Sequence, residues 1–290
     1  MSEFFAKIKG LKLLIFLCFI IDKIIFINTD TTCKPGFYIT NNGCAPCSSG
    51  HYSNEENMIS CDYCPAGTFS GTGFSSCNPC PVGTYSKSSS SYCIPCPAGK
   101  YSDKEGSKEC NNCKRGTYSK SGSAECEKCP AGTYSFIGSP TCFPCPGGSY
   151  SGEEGSSSCI TCPKGTISNL GFSQCEPCPK GTYSDEMGTH CVPCQAGEYA
   201  SKKGSYPCLE CPSGTYSDSG ASECTPCPMG FYSNGGDSVC IPCPEGQYSS
   251  SEGSSYCLSC PAGYYSLKGA SNCSKCPYGT YSNYGSSYCY

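Results

Sequence analysis

Cys211-Pro212-Ser213-Gly214-Thr215-Tyr216-Ser217-Asp218-Ser219-Gly220-Ala221-Ser222-Glu223-Cys224 is the stretch on which the reading of this 290-residue chain turns. Two cysteines close it. Thr215-Tyr216-Ser217 is short and β-favouring, and Ser219-Gly220 is a turn signal. A second short run leads back to Cys224, so the stretch reads as a miniature hairpin with a disulfide joining its ends. A two-stranded hairpin is marginal in water at best, so each such unit needs its bridge and its neighbours.

Versions of this stretch recur sixteen times between Cys33 and Cys289, and little else is present. Fifteen Cys-x-x-Cys pairs start at steps of 17, 16 and 16 residues, repeated in that order, and Cys289 keeps the series. The repeating unit is therefore 49 residues containing three loops, and residues 33–290 hold about five such units. The pairs at Cys44, Cys93, Cys142, Cys191 and Cys240 each carry proline at their third position, and the loop after each is the longer one. Its extra residue stands just before the turn, as at Glu105-Gly106 and Glu154-Gly155, where an insertion leaves the strands undisturbed. Duplication of a three-loop segment and a superhelix returning to one face every three loops both fit this period.

Cysteine parity narrows the pairing. Bonding the second cysteine of each pair to the first of the next gives Cys33–Cys44, Cys47–Cys61, Cys64–Cys77, Cys80–Cys93, Cys96–Cys110, Cys113–Cys126, Cys129–Cys142 and Cys145–Cys159. It continues with Cys162–Cys175, Cys178–Cys191, Cys194–Cys208, Cys211–Cys224, Cys227–Cys240, Cys243–Cys257, Cys260–Cys273 and Cys276–Cys289, which uses all 32 cysteines after Cys18. An interleaved scheme, first to third and second to fourth, needs the Cys-x-x-Cys pairs in twos. There are fifteen, so it must break once, and the sequential scheme is favoured.

Composition supports a stapled chain. From Thr31 onward there are four Leu, seven Ile, three Val and seven Phe against 32 Cys, too few aliphatic residues for a packed globular core. Secreted domains without such a core use disulfides in its place. The expected fold is small-disulfide-rich, mostly β or irregular: an elongated tandem array of short disulfide-closed β-hairpin loops with no conventional hydrophobic core. After Asp30 there are 15 basic and 20 acidic residues, scattered without a basic stripe, which speaks against nucleic acid or anionic membrane as partner.

Residues 1–29 differ from all that follows. Lys7, Lys9 and Lys12 precede an apolar run from Leu13 to Ile21, the layout of a secretory signal peptide. As a membrane helix, Leu13 to Ile27 would span only about 22 Å against a hydrocarbon core of about 30 Å, with Asp22-Lys23 inside it. The expected location is secreted or extracellular, at the cell surface if the signal is retained as an anchor. No anchor follows Cys289, so a membrane is a partner only through an uncleaved signal or a span beyond Tyr290.

Two positions inside the loops stand out. Glycine occupies the third place after the opening cysteine in all sixteen loops, Gly36 through Gly279, which implies a positive φ or close approach to a neighbouring disulfide. Two residues later stands tyrosine in fourteen loops, with Phe69 and Ile167 in the others, suited to covering a disulfide while its hydroxyl reaches water.

The combined pattern, Cys-Pro-x-Gly-Thr-Tyr-Ser followed by Gly-x-Ser-x-x-Cys-x-x-Cys, resembles the ephrin-receptor-like cysteine-rich repeat of the growth-factor-receptor cysteine-rich superfamily. It is also similar to the first loop of tumour-necrosis-factor-receptor modules. Cys129-Pro130-Ala131-Gly132-Thr133-Tyr134-Ser135 and Cys178-Pro179-Lys180-Gly181-Thr182-Tyr183-Ser184 match it closely, and the resemblance covers about residues 33–290. Lys34, Ser48, Lys114 and Gln195 depart from it by replacing proline. The resemblance implies an extracellular, disulfide-linked rod of the kind found in secreted and surface repeat proteins of protists. It does not imply kinase activity, since the chain has no kinase Gly-rich loop, Val-Ala-Ile-Lys or His-Arg-Asp.

No catalytic or metal site is expected. Paired Cys-x-x-Cys motifs can form zinc ribbons, but here they lie 12 or 13 residues apart and follow a secretion signal. A redox Cys-x-x-Cys lacks its βαβ context. His51 and His190 have no acid–base partner in sequence reach, and no acidic run forms a calcium loop. Asn272-Cys273-Ser274 is the sole N-glycosylation sequon, with a half-cystine in its middle place. The function expected is non-enzymatic and without cofactor: a structural or adhesive spacer or surface coat. The alternative is a receptor-like or decoy ectodomain that binds an unidentified protein partner, not nucleic acid or a small-molecule substrate. Its candidate contact residues are Phe69 to Phe74, Phe136-Ile137 and Ile167 to Phe172, where apolar side chains replace the polar turn.

Overall fold

The computed structural model describes residues 32–290; the segment read as a secretion signal, with Cys18, lies outside the described residues. Fifteen separate two-stranded antiparallel sheets, and no helix, are found among the described residues. They divide into two compact units. One reaches Cys113 and includes Ser119–Cys126; the other comprises Lys114–Tyr118 and Glu127–Tyr290.

In the second unit, the Cys211 loop shows how each hairpin closes. Thr215–Tyr216 pairs with Thr225–Pro226, in register Thr215↔Pro226 and Tyr216↔Thr225. The returning strand is thus the spacer of the Cys-x-x-Cys pair, not the run before Cys224 expected from sequence. The residues before Cys224 are committed elsewhere: the Ala221 carbonyl accepts from the Ala200 N–H at 3.1 Å, and the Gly220 N–H donates to the Cys194 carbonyl at 2.8 Å. Only residues beyond the bridge remain free to pair. A two-stranded ladder has edges alone, so Pro226 with no N–H is tolerated there.

The same loop reaches back to its predecessor and forward to its successor. The Ser217 hydroxyl donates to the Glu198 carbonyl at 2.9 Å, and the Ser217 carbonyl accepts from the Gly197 N–H at 2.9 Å. Ahead, the Gly214 N–H donates to the Ser233 carbonyl at 3.0 Å. Gly214 has φ +85°, and a methyl group on it would collide with the carbonyl oxygen of Gly253, two loops further on. The close approach expected of this glycine is therefore to a turn carbonyl, not to a disulfide. Both requirements, left-handed backbone and no room for Cβ, restrict the position to glycine.

The first unit follows the same rule. The Gly67 N–H meets the Ser86 carbonyl at 3.0 Å, the Ser86 hydroxyl meets the Thr68 carbonyl at 2.9 Å, and the Gly106 N–H meets the Cys80 carbonyl at 2.8 Å. Where the turn residue is not glycine the backbone still turns left-handed. Asn57 (φ 58°) and Ser89 (φ 59°) donate their N–H groups to Cys33 and Cys64 carbonyls at 2.9 and 2.8 Å. Loops of separation 14 absorb their extra residue ahead of the turn, since Gly106 in such a loop makes the bond that Gly122 makes in one of separation 13.

Burial shows what replaces a core. The only buried hydrophobic residues among the described residues are opening half-cystines and Ala200. Every buried polar residue is a serine, and no buried side-chain polar atom lacks a hydrogen-bond partner. The interior is a column of sulfur and hydroxyl groups, in which the half-cystine serves as a small apolar side chain.

Candidate functional site

The cysteines fill the only interior the chain has. Cys33 is joined to Cys44, Cys47 to Cys61, and so on in order to Cys276 with Cys289, with Cα–Cα distances of 5.5–5.8 Å. The opening member of most pairs is fully buried, and the closing member is half-buried or exposed. Each bridge closes a loop worth about 3 kcal/mol of chain entropy. A sulfur held in a disulfide is neither a metal ligand nor a nucleophile, both of which need the thiolate. Among the described residues no group of three or more His, Cys, Asp or Glu could hold a metal ion. No described helix is long and apolar enough to cross a membrane.

The two histidines lie in different settings. His51 stands in a strand, its Nδ1 3.2 Å from the Ser48 hydroxyl. His190 is exposed at the tip of the Cys178 loop, with Nδ1 3.4 Å from Asp185 and 2.9 Å from the Thr189 hydroxyl. That tip closes on itself: the Asp185 carboxylate accepts from the Thr189 N–H at 2.8 Å and from its hydroxyl at 2.9 Å. The Thr189 N–H holds the Asp185 carboxyl down to about 2, with the His190 N–H adding to it. Here the turn glycine, Gly188, falls one place late, and the strand pair gains a third rung, Ser184↔Cys191. The contacts are those of a self-capped turn, since no third group lines up beside Asp185 and His190 to receive a proton from a substrate.

The candidate apolar segments separate on inspection. Phe136 comes together with Tyr134 and Phe143, with ring centroids 5.5 and 6.0 Å away, and Phe136 and Ile137 are more than half exposed. Phe69 and Ile167 are half-buried strand residues, whereas Phe74 and Leu170 lie exposed at their tips. Asn272 of the sequon is exposed, and Cys273 beside it is bonded to Cys260.

One set of residues that matters went unread in the sequence. Serine stands six places after the opening cysteine in fourteen of sixteen loops, Ser53 to Ser282, and every one of these is buried. In most, the hydroxyl donates to a carbonyl of the preceding loop, as Ser135 does to Thr117 and Ser266 to Gln247, at 2.9 and 2.8 Å. The signal was its recurrence, as complete as that of the tyrosine. It was passed over because serine is ordinarily a surface residue.

A family model described as tyrosine-protein kinase ephrin type A/B receptor-like matches residues 83–115, 132–167, 181–215, 214–239 and 230–265, together more than half of the chain. Four of these matches begin at Gly83, Gly132, Gly181 and Gly230, each the third-place glycine of its loop. No curated protein sequence matches the chain.

Proposed function

The chain belongs to the ephrin type A/B receptor-like cysteine-rich family, and from that premise we propose that it is a secreted or surface-exposed spacer of adhesive or coat type. It is a non-enzymatic protein. Residues 1–29 would serve as the secretion signal and residues 33–290 as the working array, built from 49-residue units. The observation that carries the reading is the sameness of the bonding: within each unit a loop spends its buried serine, its turn N–H and its third-place glycine on neighbouring loops. Groups that could act on a substrate are thereby used to hold the array together. In such repeat architectures each unit contacts only near neighbours and length follows repeat number.

The test is to express the protein through a secretory route and delete one 49-residue unit, residues 132–180, so that loop register is kept. The account expects secretion, no titratable thiol after denaturation, and a fixed loss of reach between fluorophores at the two ends of the array. Loss of the remaining bridges, or an end-to-end reach that does not change, would contradict it.

A second reading, a protein-binding ectodomain, is favoured by the Tyr134–Phe136–Phe143 cluster. Its exposed rings are the kind of aromatic anchor that dominates protein interfaces. Replacing Phe136 and Ile137 by serine would abolish capture of such a partner and leave the oxidised fold intact.

A further inference from the structure

We propose that the tip of the Cys194–Cys208 loop is a binding site for an acidic polysaccharide, a chain of pyranose rings bearing sulfate or carboxylate groups. The register of neighbouring loops creates it. A methyl group on Gly165 would collide with the Gly204 carbonyl, so the residue before Gly165 is set beside the tip two loops on. That residue is Lys164, and the tip carries Lys202 and Lys203. The Lys164 Nζ lies 4.9 Å from the centroid of the Tyr206 ring. Thirty-eight residues of sequence separate Lys164 from Lys202, which is why no basic cluster is visible in the linear chain.

The same neighbourhood elsewhere is arranged differently. Gly116 meets Gly155 in the same way, which sets Arg115 beside the tip of Glu153 and Glu154. Gly181 meets Gly220, which sets Lys180 beside the tip of Asp218. In both, opposite charges meet. At the Cys194 loop three ammonium groups gather, and no carboxylate comes within salt-bridge distance of any of them, the one side-chain ion contact among the described residues being His190–Asp185. The carboxylates of the same loop, Glu198 and Glu210, face each other across its strand pair. Like charges held together repel, and a bound anion removes that repulsion.

The cluster opens on a cavity of about 370 Å³, lined by Lys202, Lys203, Ser205, Tyr206 and Leu209 among others. This is within the range of small-ligand sites, about 300–1,000 Å³. An apolar wall of Tyr206 and Leu209 beside mobile ammonium groups suits the C–H face and acidic substituents of a pyranose. Lysines present point charges and not the rigid fork that selects phosphate or carboxylate in two-point geometry. With 15 basic against 20 acidic residues after Asp30, the chain is repelled by an extended anionic surface, whereas a single polysaccharide strand can engage one tip. Tyr206 is a positioning residue, which holds Lys164 over its ring. The loop is also the one in which Gln195 replaces proline and Ala200 replaces the buried serine together.

The proposal deepens the spacer reading, on which it rests only for exposure to extracellular polysaccharides. The experiment measures binding of a heparin-derived octasaccharide, of polygalacturonate and of neutral dextran to the full oxidised protein at physiological salt. Heparin fragments and polygalacturonate separate sulfate from carboxylate recognition, and dextran is expected not to bind. The double variant Lys202→Gln/Lys203→Gln should weaken binding of the preferred polyanion by about tenfold or more, and Lys164→Gln by several-fold. Tyr206→Ala should behave like Lys164→Gln, while Tyr206→Phe keeps the ring and should bind as the parent does. A charge-matched control, Lys87→Gln/Lys268→Gln, should have little effect. Equal loss in the control and the tip variant, unchanged binding in the tip variant, or binding to neither polyanion would overturn the proposal. None of these results bears on whether deleting a 49-residue unit shortens the array, so the two readings fail separately.

Discussion

The Cys33–Cys44 loop and the Cys211–Cys224 loop share a cysteine frame and use their tips in opposite ways. In the first, bridged residues are 11 apart, and Phe37–Thr40 pairs with Gly43–Pro46 through four rungs about the turn Asn41-Asn42. The Thr40 hydroxyl meets the Gly43 carbonyl at 2.7 Å, so the tip satisfies itself. In the second, the separation is 13, the ladder has two rungs, and the tip N–H of Gly220 is given to Cys194 of the loop before. Ile39 stands, 41% exposed, where Ser217 is buried at 3%. With no loop ahead of Cys33 in this sequence, a serine there would find no carbonyl to meet. The difference teaches that a loop's hairpin is local only when nothing precedes it; otherwise the tip's hydrogen bonds join loops together.

Breaking a bridge should separate the two most strongly. Replacing Cys211 and Cys224 together by alanine removes about 3 kcal/mol of loop-closure stabilisation. It also leaves a two-rung ladder that cannot stand alone. Protease cleavage should then spread to the neighbouring loops, between about residues 195 and 240. The matched double variant at Cys33 and Cys44 keeps its four-rung hairpin, and cleavage should stay within residues 33–46. Equal spread in both would break the comparison.

A single methyl group gives the next largest contrast. Gly43→Ala strains a left-handed residue (φ +111°) that has nothing within 4 Å of its Cβ position, a cost of about 1 kcal/mol. Gly214→Ala adds a collision with the Gly253 backbone and should cost about 2–4 kcal/mol. Local opening free energies from hydrogen exchange would report both.

The smallest effect expected is that of Ser217→Ala. Ala200 occupies the equivalent place, 1% exposed, so alanine fits and only the bond to the Glu198 carbonyl is lost. The expected cost is about 1 kcal/mol. A change near zero would mean the buried hydroxyls are passengers in the column.

How much of this was legible in the sequence depends on range. The frame was legible because cysteine spacing and the glycine–tyrosine recurrence are local and repeat sixteen times. The returning strand was misplaced because Ala221 to Glu223 look free in sequence and are claimed by a loop 20 or so residues earlier. The third-place glycine was recognised as special, but its partner was not, since Gly214 and Gly253 are 39 residues apart. The three lysines around Tyr206 were invisible for the same reason. Contacts between one loop and the second after it leave no mark in a single loop's pattern.

The central claim is that tip N–H groups of the later loops are spent on the loop before, and native-state hydrogen exchange tests it most directly. The Gly220, Gly253 and Gly106 amides sit at loop tips, where an ordinary exposed turn exchanges within the dead time. Their bonds to the Cys194, Cys227 and Cys80 carbonyls, each 2.8 Å, should slow them to the rate of the strand amides around Thr215 and Tyr216. The Asn41 and Asn42 amides, at the one self-contained tip, should exchange fast. Rapid exchange at Gly220, Gly253 and Gly106, indistinguishable from Asn41 and Asn42, would contradict the account.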